Sequence, residues 1–416
     1  MVDADVLSDS ELALWADRSV HRSWLITQGQ RLLEHYRGAQ VAGGFGTLDD
    51  GGRLTGSSAV TIVTARMVHC YSVAALMGVP GAGVLADHGL AALLDGPLRD
   101  KAHDGWFESE DDASRKQAYV HAFVALAAAS AVMASRSRAD ELCVAATGVI
   151  EQYFWLPDEG VMAPSFSADW HDDENYRGAN ANMHTTEAFL ALADATGNDL
   201  WLERALGLVK RFGHDIARTH KYRLPEHFDT DWQMLPHYNV DQSTDDLRPW
   251  GMTPGHFAEW GGLLLKVEAA LLERERAAPD WLCEDAMGLF DSAMALGWDV
   301  DGAPGMVYTI GWDNAVCVAN RPWWVQVEAA NTAYMLLRRT GERRFENVYR
   351  MIWDYTAHHI IDRDAGGWRP EIDRDGVRTQ RVYPLREDLY HAFQATVTPL
   401  LPISSSLAYG ARSYPL

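Results

Sequence analysis

Three histidines stand in settings that suit proton transfer. His184 lies in Tyr176-Arg-Gly-Ala-Asn-Ala-Asn-Met-His184-Thr-Thr-Glu187, His256 in Arg248-Pro-Trp-Gly-Met-Thr-Pro-Gly-His256-Phe-Ala-Glu259, and His391 in Asp388-Leu-Tyr-His391-Ala-Phe-Gln394. In each motif a glutamate or glutamine follows the histidine by three. Residues three apart share a helix face, so Glu187, Glu259 and Gln394 are placed to orient or hydrogen-bond the imidazole before them. A helix N-terminus disfavours the imidazolium and a carboxylate favours it, which leaves a histidine able to take up and return a proton near neutral pH.

That property suits conversion of an aldose to a ketose. A base takes the C2 proton, a donor or cation stabilises the enediolate oxygen, and the proton returns at C1, or at C2 for an epimerisation. The 16 Trp among 416 residues fit carbohydrate handling, because indole faces stack on the C–H faces of sugars. Two other chemistries fit less well. The His-x-x-Glu order inverts the Glu-x-x-His pairs of di-iron bundles and the accompanying single glutamates are missing, so no metal is expected. A glycoside hydrolase needs two carboxylates across the scissile bond; Glu187 and Glu328 could serve, but the histidines give such carboxylates a simpler supporting role.

The elements that position these residues read as helices. Thr253 suits an N-cap and Pro254 the first helical position, and Asn180 or Asn182 can cap the helix that carries His184 in or near its first turn. Apolar residues at helical spacing dominate, as in the runs from Ala118 and Thr185. Between them a short aromatic, glycine-bearing element recurs from Gly43, Asp104, Glu159, Lys221, Gly305 and Gly366, with turn signals at Asp50-Gly51 and Asp375-Gly376. The intervals, about 55 to 83 residues, have room for two helices each. Six hairpins closed into a ring make an all-α toroid with short β-hairpins or loops at its mouth; an open helical solenoid is the alternative. No linker divides the chain, so residues 1–416 are expected to form a single domain.

The net charge of −22 excludes a nucleic-acid or anionic-membrane partner. No apolar run reaches about 18 residues and the start lacks a leader pattern, which implies a cytoplasmic protein. Cys70, Cys143, Cys283 and Cys317 form no CxxC pair and are expected to be buried small hydrophobes. No phosphate-binding glycine loop is present. The expected partner is a small monosaccharide; the sequence leaves oligomeric state open, a homo-oligomer included.

With their surroundings, these motifs resemble the N-acylglucosamine 2-epimerase superfamily, and within it the branch of mannose and sulfoquinovose isomerases. The resemblance runs from Gly43-Gly-Phe-Gly-Thr-Leu-Asp-Asp through Thr64-Ala-Arg-Met, Lys116-Gln-Ala-Tyr-Val-His, Leu224-Pro-Glu-His-Phe-Asp and Arg321-Pro-Trp-Trp-Val-Gln-Val-Glu to the last Tyr390-His391. It implies an (α/α)6 barrel and a cofactor-independent isomerase that interconverts D-mannose and D-fructose, with D-lyxose and D-xylulose as a further pair, through a cis-enediol. A sugar 2-epimerase is the alternative.

By the same resemblance His256 and His391 exchange the proton, in an order the sequence does not assign, and His184 binds substrate oxygens. Arg66 matches an arginine at the oxygen where negative charge develops. Glu259 matches a residue that orients a catalytic histidine, and Arg248 matches a pocket arginine. Asn180, Glu187, Trp106, Tyr119, His121, Trp324, Glu328 and Glu387 are expected to line the cavity or bind substrate. The chain departs from the branch at Trp368-Arg-Pro-Glu-Ile-Asp and at Leu385-Arg-Glu387-Asp. These stretches approach the far end of the sugar, where Glu387 would repel a sulfonate.

Overall fold

The computed structural model describes residues 13–414 apart from Asp173 and Asp388. The start of the sequence and the aspartate that opens the His391 motif lie outside these. Along the chain run α1 (Ser19–Tyr36), α2 (Thr61–Leu76), α3 (Ala82–Asp95), α4 (Ala118–Met133), α5 (Ala139–Val149), α6 (Ala179–Thr196) and α7 (Asp199–Val209). The short α8 (Ala217–Thr219) is followed by α9 (Pro254–Glu273), α10 (Trp281–Gly297), α11 (Trp323–Thr340), α12 (Arg343–Tyr355), α13 (Tyr390–Val397) and α14 (Leu407–Ser413).

Two kinds of helix sort into two rings. In α4, Ala and other apolar residues occupy nearly every position, and almost the whole helix is buried; a helix apolar all round belongs inside. By contrast α12 buries one stripe, including Phe345, Tyr349, Ile352 and Trp353, and turns arginines outward. The inner ring runs α2, α4, α6, α9, α11, α13 and back to α2. Outside it α3 packs on α2, α5 on α4, α7 on α6, α10 on α9, α12 on α11, and α1 on α13.

The chain is therefore an (α/α)6 barrel. The open solenoid is excluded, because α13 touches both α11 and α2. One detail differs from six consecutive hairpins: the sixth is split, its outer helix coming from the start of the chain and its inner helix from the end. The contact is close, since a Cβ at Gly29 of α1 would sit 2.9 Å from Thr396 Oγ1 of α13. Beyond the His391 helix, α14 packs across α2, α4 and α6.

The recurring loop elements form antiparallel two-stranded ribbons that deliver the chain into inner helices. Arg115–Gln117 pairs with Ser165–Ser167 and enters α4, Arg177–Gly178 pairs with His227–Phe228 and enters α6, and Arg321–Pro322 pairs with Glu371–Ile372 and enters α11. Asp375-Gly376 makes the expected turn, with Gly376 at φ +80. At the other signal the positive φ falls one residue later, at Gly52, because Asp49 Oδ1 accepts from the Gly51 and Arg53 amides.

Cys70 and Cys143 are buried as expected, whereas Cys283 and Cys317 are half-buried. Among the described residues no helix is long and apolar enough to cross a membrane.

Candidate active site

The N-termini of the inner helices face one end of the barrel, and there they surround a cavity of about 220 Å3. His184, His256 and His391 all line it, as do Arg66, Tyr119, Asn180, Glu259, Trp324 and Glu387. The three histidines are 4 to 6% exposed. His256 and His391 both pack on Trp324, with ring centroids 4.9 and 5.7 Å away, and the His184 ring lies 6.3 Å from that of His391.

Two of the histidines have a carboxylate behind them. His256 Nδ1 lies 2.9 Å from Glu226 Oε1, and His391 Nδ1 hydrogen-bonds Glu328 Oε1 at 2.8 Å. Burial works to raise the Glu226 carboxyl, yet the adjoining His256, and then His227, hold it below its ordinary range. A carboxylate at Nδ1 places the proton there and makes Nε2 the basic nitrogen. Glu226 is also fixed by its backbone: its carbonyl accepts from the Ala179 amide at the start of α6, and its side chain accepts from the Thr253 amide at the start of α9.

His184 has a different environment. Burial, then the positive charge of Arg66 and the closeness of the other two imidazoles, pushes it well below its ordinary value, so it stays neutral. Its Nδ1 has no hydrogen-bond partner and lies 3.8 Å from Glu259 Oε1. Glu259 is shifted the opposite way. Burial first, and then the carboxylates of Glu328 and Glu187, raise it well above the usual range, so it keeps its proton. Arg66 donates from Nη2 to the Tyr119 hydroxyl at 2.8 Å, and its guanidinium lies 4.2 Å from the Phe123 ring centre.

The helical reading of the motifs needs four corrections. Gly178, not Asn180 or Asn182, is the N-cap of α6, which puts His184 in the second turn. Asn182 instead hydrogen-bonds the Met162 amide and the Gly178 carbonyl, and Asn180 Nδ2 donates to the Leu247 carbonyl. Thr253 and Pro254 do open α9, but the threonine hydroxyl makes no cap bond. Finally, no histidine pairs with the glutamate or glutamine three residues later. Side chains tilt toward a helix N-terminus, so that residue sits a turn deeper and meets the neighbouring helix. Glu259 of α9 thus approaches His184 of α6. Glu187 of α6 instead accepts from Lys266 at 3.2 Å, from Gln394 at 3.3 Å and from the Tyr390 hydroxyl.

Several expected cavity residues lie elsewhere. Glu187 and Glu328 sit beneath the floor, around a smaller void with Lys266 and Asn331. Trp106 and His121 are buried against each other: the Trp106 amide donates to His121 Nε2 at 3.1 Å and its indole to the Leu93 carbonyl, while His121 Nδ1 is held by the Gln117 carbonyl. Burial lowers His121 to about 3. Arg248 is clamped by Glu174 and stacked on Tyr176, at a side pocket it shares with Tyr119 and Asn180. Conversely, sequence reasoning gave no role to Glu226, Trp323, Tyr383, Glu108 or Asp246, of which all but Glu226 line the cavity. For Glu226 a signal existed, a charged residue inside the apolar stretch Leu224-Pro-Glu-His-Phe, but not its target.

Glu259, Glu328 and His391 bring ligand atoms within 4.8 Å of one another, a set that could hold a metal ion. Glu259 would first have to give up the proton that burial holds on it.

The model of the N-acylglucosamine 2-epimerase (GlcNAc 2-epimerase) family matches residues 43–395, from the first glycine-bearing loop to the His391 helix. The chain belongs to this family. Within the N-acylglucosamine 2-epimerase family it is 49% identical to a D-mannose isomerase of Pseudomonas cannabina pv. alisalensis, over 95% of this chain and 96% of the relative. It is 46% identical to a D-mannose isomerase of Thermobifida fusca, over 95% and 98%. A crystal structure of a D-mannose isomerase superposes with a TM-score of 0.83 at 26% identity, covering 91% of this chain and 97% of that one.

Proposed function

We propose that the chain is an aldose–ketose isomerase that interconverts D-mannose and D-fructose through a cis-enediol, with D-lyxose and D-xylulose as a second pair. The observation that carries this reading is the pair of histidines facing one cavity, His256 backed by Glu226 and His391 backed by Glu328. The names of the relatives at 49% and 46% identity support the choice of sugar.

In the open-chain aldose one of the two Nε2 atoms takes the C2 proton; O1 gains a proton and O2 gives one up through the enediol, and the same or the other histidine delivers a proton to C1, leaving the carbonyl at C2. Arg66 neutralises the charge that develops on the enediolate oxygen. Neutral His184 binds a sugar oxygen, and the protonated Glu259 carboxyl lies beside it, 3.8 Å from its Nδ1. The oxidation at C2 is balanced by the reduction at C1 within the sugar, so the reading needs no external redox cofactor, and it gives the charge stabilisation to Arg66 rather than to a metal. It treats residues 1–416 as one functional domain, supported by the closing of the ring between α1 and α13.

The test is to incubate the purified protein with D-mannose, with and without chelator, and to follow the products by NMR. D-Fructose formed equally in both supports the proposal. D-Glucose without fructose, or no reaction by folded protein, sinks it.

A further inference from the structure

Charge is distributed unevenly along the cavity. At its deep end stand Arg66 and the three histidines, each no more than 6% exposed. Toward solvent the wall carries the carboxyl groups of Glu108, Asp246 and Glu387, which come from three separate loops, ahead of α4, α9 and α13. Asp246 stands at the rim, open to solvent on one side only, and Glu108 and Glu387 are half-buried. Among the described lining residues Arg66 is the one lysine or arginine, and its Nη2 is engaged by Tyr119.

Glu108 and Asp246 each feel a neighbouring carboxylate. Glu108 is raised by burial, then by Asp112 and Asp246; Asp246 is raised by burial, then by the adjoining Asp245, with Arg66 pulling it down. The outer part of the cavity is thus a region of negative potential made by residues with nothing to do in the proton transfer. A sugar hydroxyl can donate to these oxygens. A phosphate or carboxylate at the sugar terminus remote from C1 and C2 would meet the like charge of Glu108 and Asp246, and like-charge contacts discriminate strongly.

We infer that Glu108 and Asp246 select neutral sugars by excluding anionic ones. The inference rests on the isomerase reading for its substrate orientation, with C1 and C2 at the histidines and the other terminus at the rim. It predicts that D-mannose 6-phosphate and D-mannuronate are used with a kcat/KM lower than that of D-mannose by roughly a thousandfold or more. Replacing the rim charges moves that ratio.

The experiment compares wild type with Asp246→Asn, with Asp246→Lys and with the double variant Glu108→Gln, Asp246→Asn. The readout is the kcat/KM of D-mannuronate divided by that of D-mannose, at low and high salt. The expected ratio rises about tenfold for Asp246→Asn and more for the lysine and double variants. Added salt is expected to narrow the wild-type discrimination. A ratio unmoved within about twofold in folded variants overturns the inference. Direct binding of D-mannitol and D-mannitol 6-phosphate by calorimetry gives the same ratio without turnover. Charge selection is therefore tested even if the protein converts no sugar, an outcome that would sink the isomerase reading alone.

Discussion

Glu226 joins three parts of the site at once: its carboxylate faces His256 Nδ1 at 2.9 Å and accepts the Thr253 amide at 3.2 Å, while its carbonyl accepts the first amide of α6. Replacing it by glutamine keeps the shape and the amide bond but removes the charge that makes Nε2 basic. Glu226→Gln is expected to lower kcat by about a hundredfold, with KM changed little and the melting temperature nearly kept. A kcat within threefold of wild type would show that the carboxylate does not set the histidine.

The two carboxyl groups beside the histidines predict opposite pH effects on stability. Glu226 has its folded value below the ordinary 4.5; its stabilisation is present above pH 4.5 and lost as pH falls through the folded value. Glu259 has its folded value well above 4.5. Between the two values the folded state binds a proton that the unfolded state has released, so stability falls as pH rises across that range. Glu259→Gln mimics the protonated form. Melting curves from pH 5 to 9 are expected to fall more steeply for wild type than for this variant, and activity is expected to stay within about tenfold. Parallel curves would mean that Glu259 is ionised.

Removal of either proton-transfer histidine tests the division of labour. His256→Ala and His391→Ala are each expected to lower kcat at least about a hundredfold without unfolding the protein. His184→Ala is expected to act more on KM. Trp106→Ala, by contrast, removes a buried indole and should cost about 3 to 5 kcal/mol of stability, with the KM of folded protein near that of wild type. Denaturant unfolding and steady-state kinetics on the four variants distinguish these patterns.

Closure of the ring has its own check. A valine at Gly29 would crowd Thr396, whose hydroxyl is tied to the Phe393 carbonyl at 2.8 Å. Gly29→Val is expected to destabilise by about 1 to 3 kcal/mol in urea unfolding. A stabilised variant, as helix propensity alone would give, would mean that α1 and α13 do not pack closely.

The helices, their ring and the histidines were legible because each is written locally, in apolar periodicity and in short motifs around His184, His256 and His391. What was not legible is carried across the ring. The three-residue spacing correctly put Glu187 and Glu259 on the faces of His184 and His256, but their partners belong to neighbouring helices, which no single segment encodes. Glu226 reaches His256 through a strand pairing between Arg177–Gly178 and His227–Phe228. For Trp106 and His121 the sequence does not distinguish an aromatic wall from an aromatic core; their mutual hydrogen bond and burial place them in the core.

The central claim, proton transfer between C2 and C1, is tested most directly by running D-mannose in D2O and locating the label in the early product. The account predicts D-fructose with deuterium at C1, in amounts reduced at least about a hundredfold in His256→Ala and His391→Ala. Deuterium at C2 of D-glucose, with no labelled fructose, would contradict it.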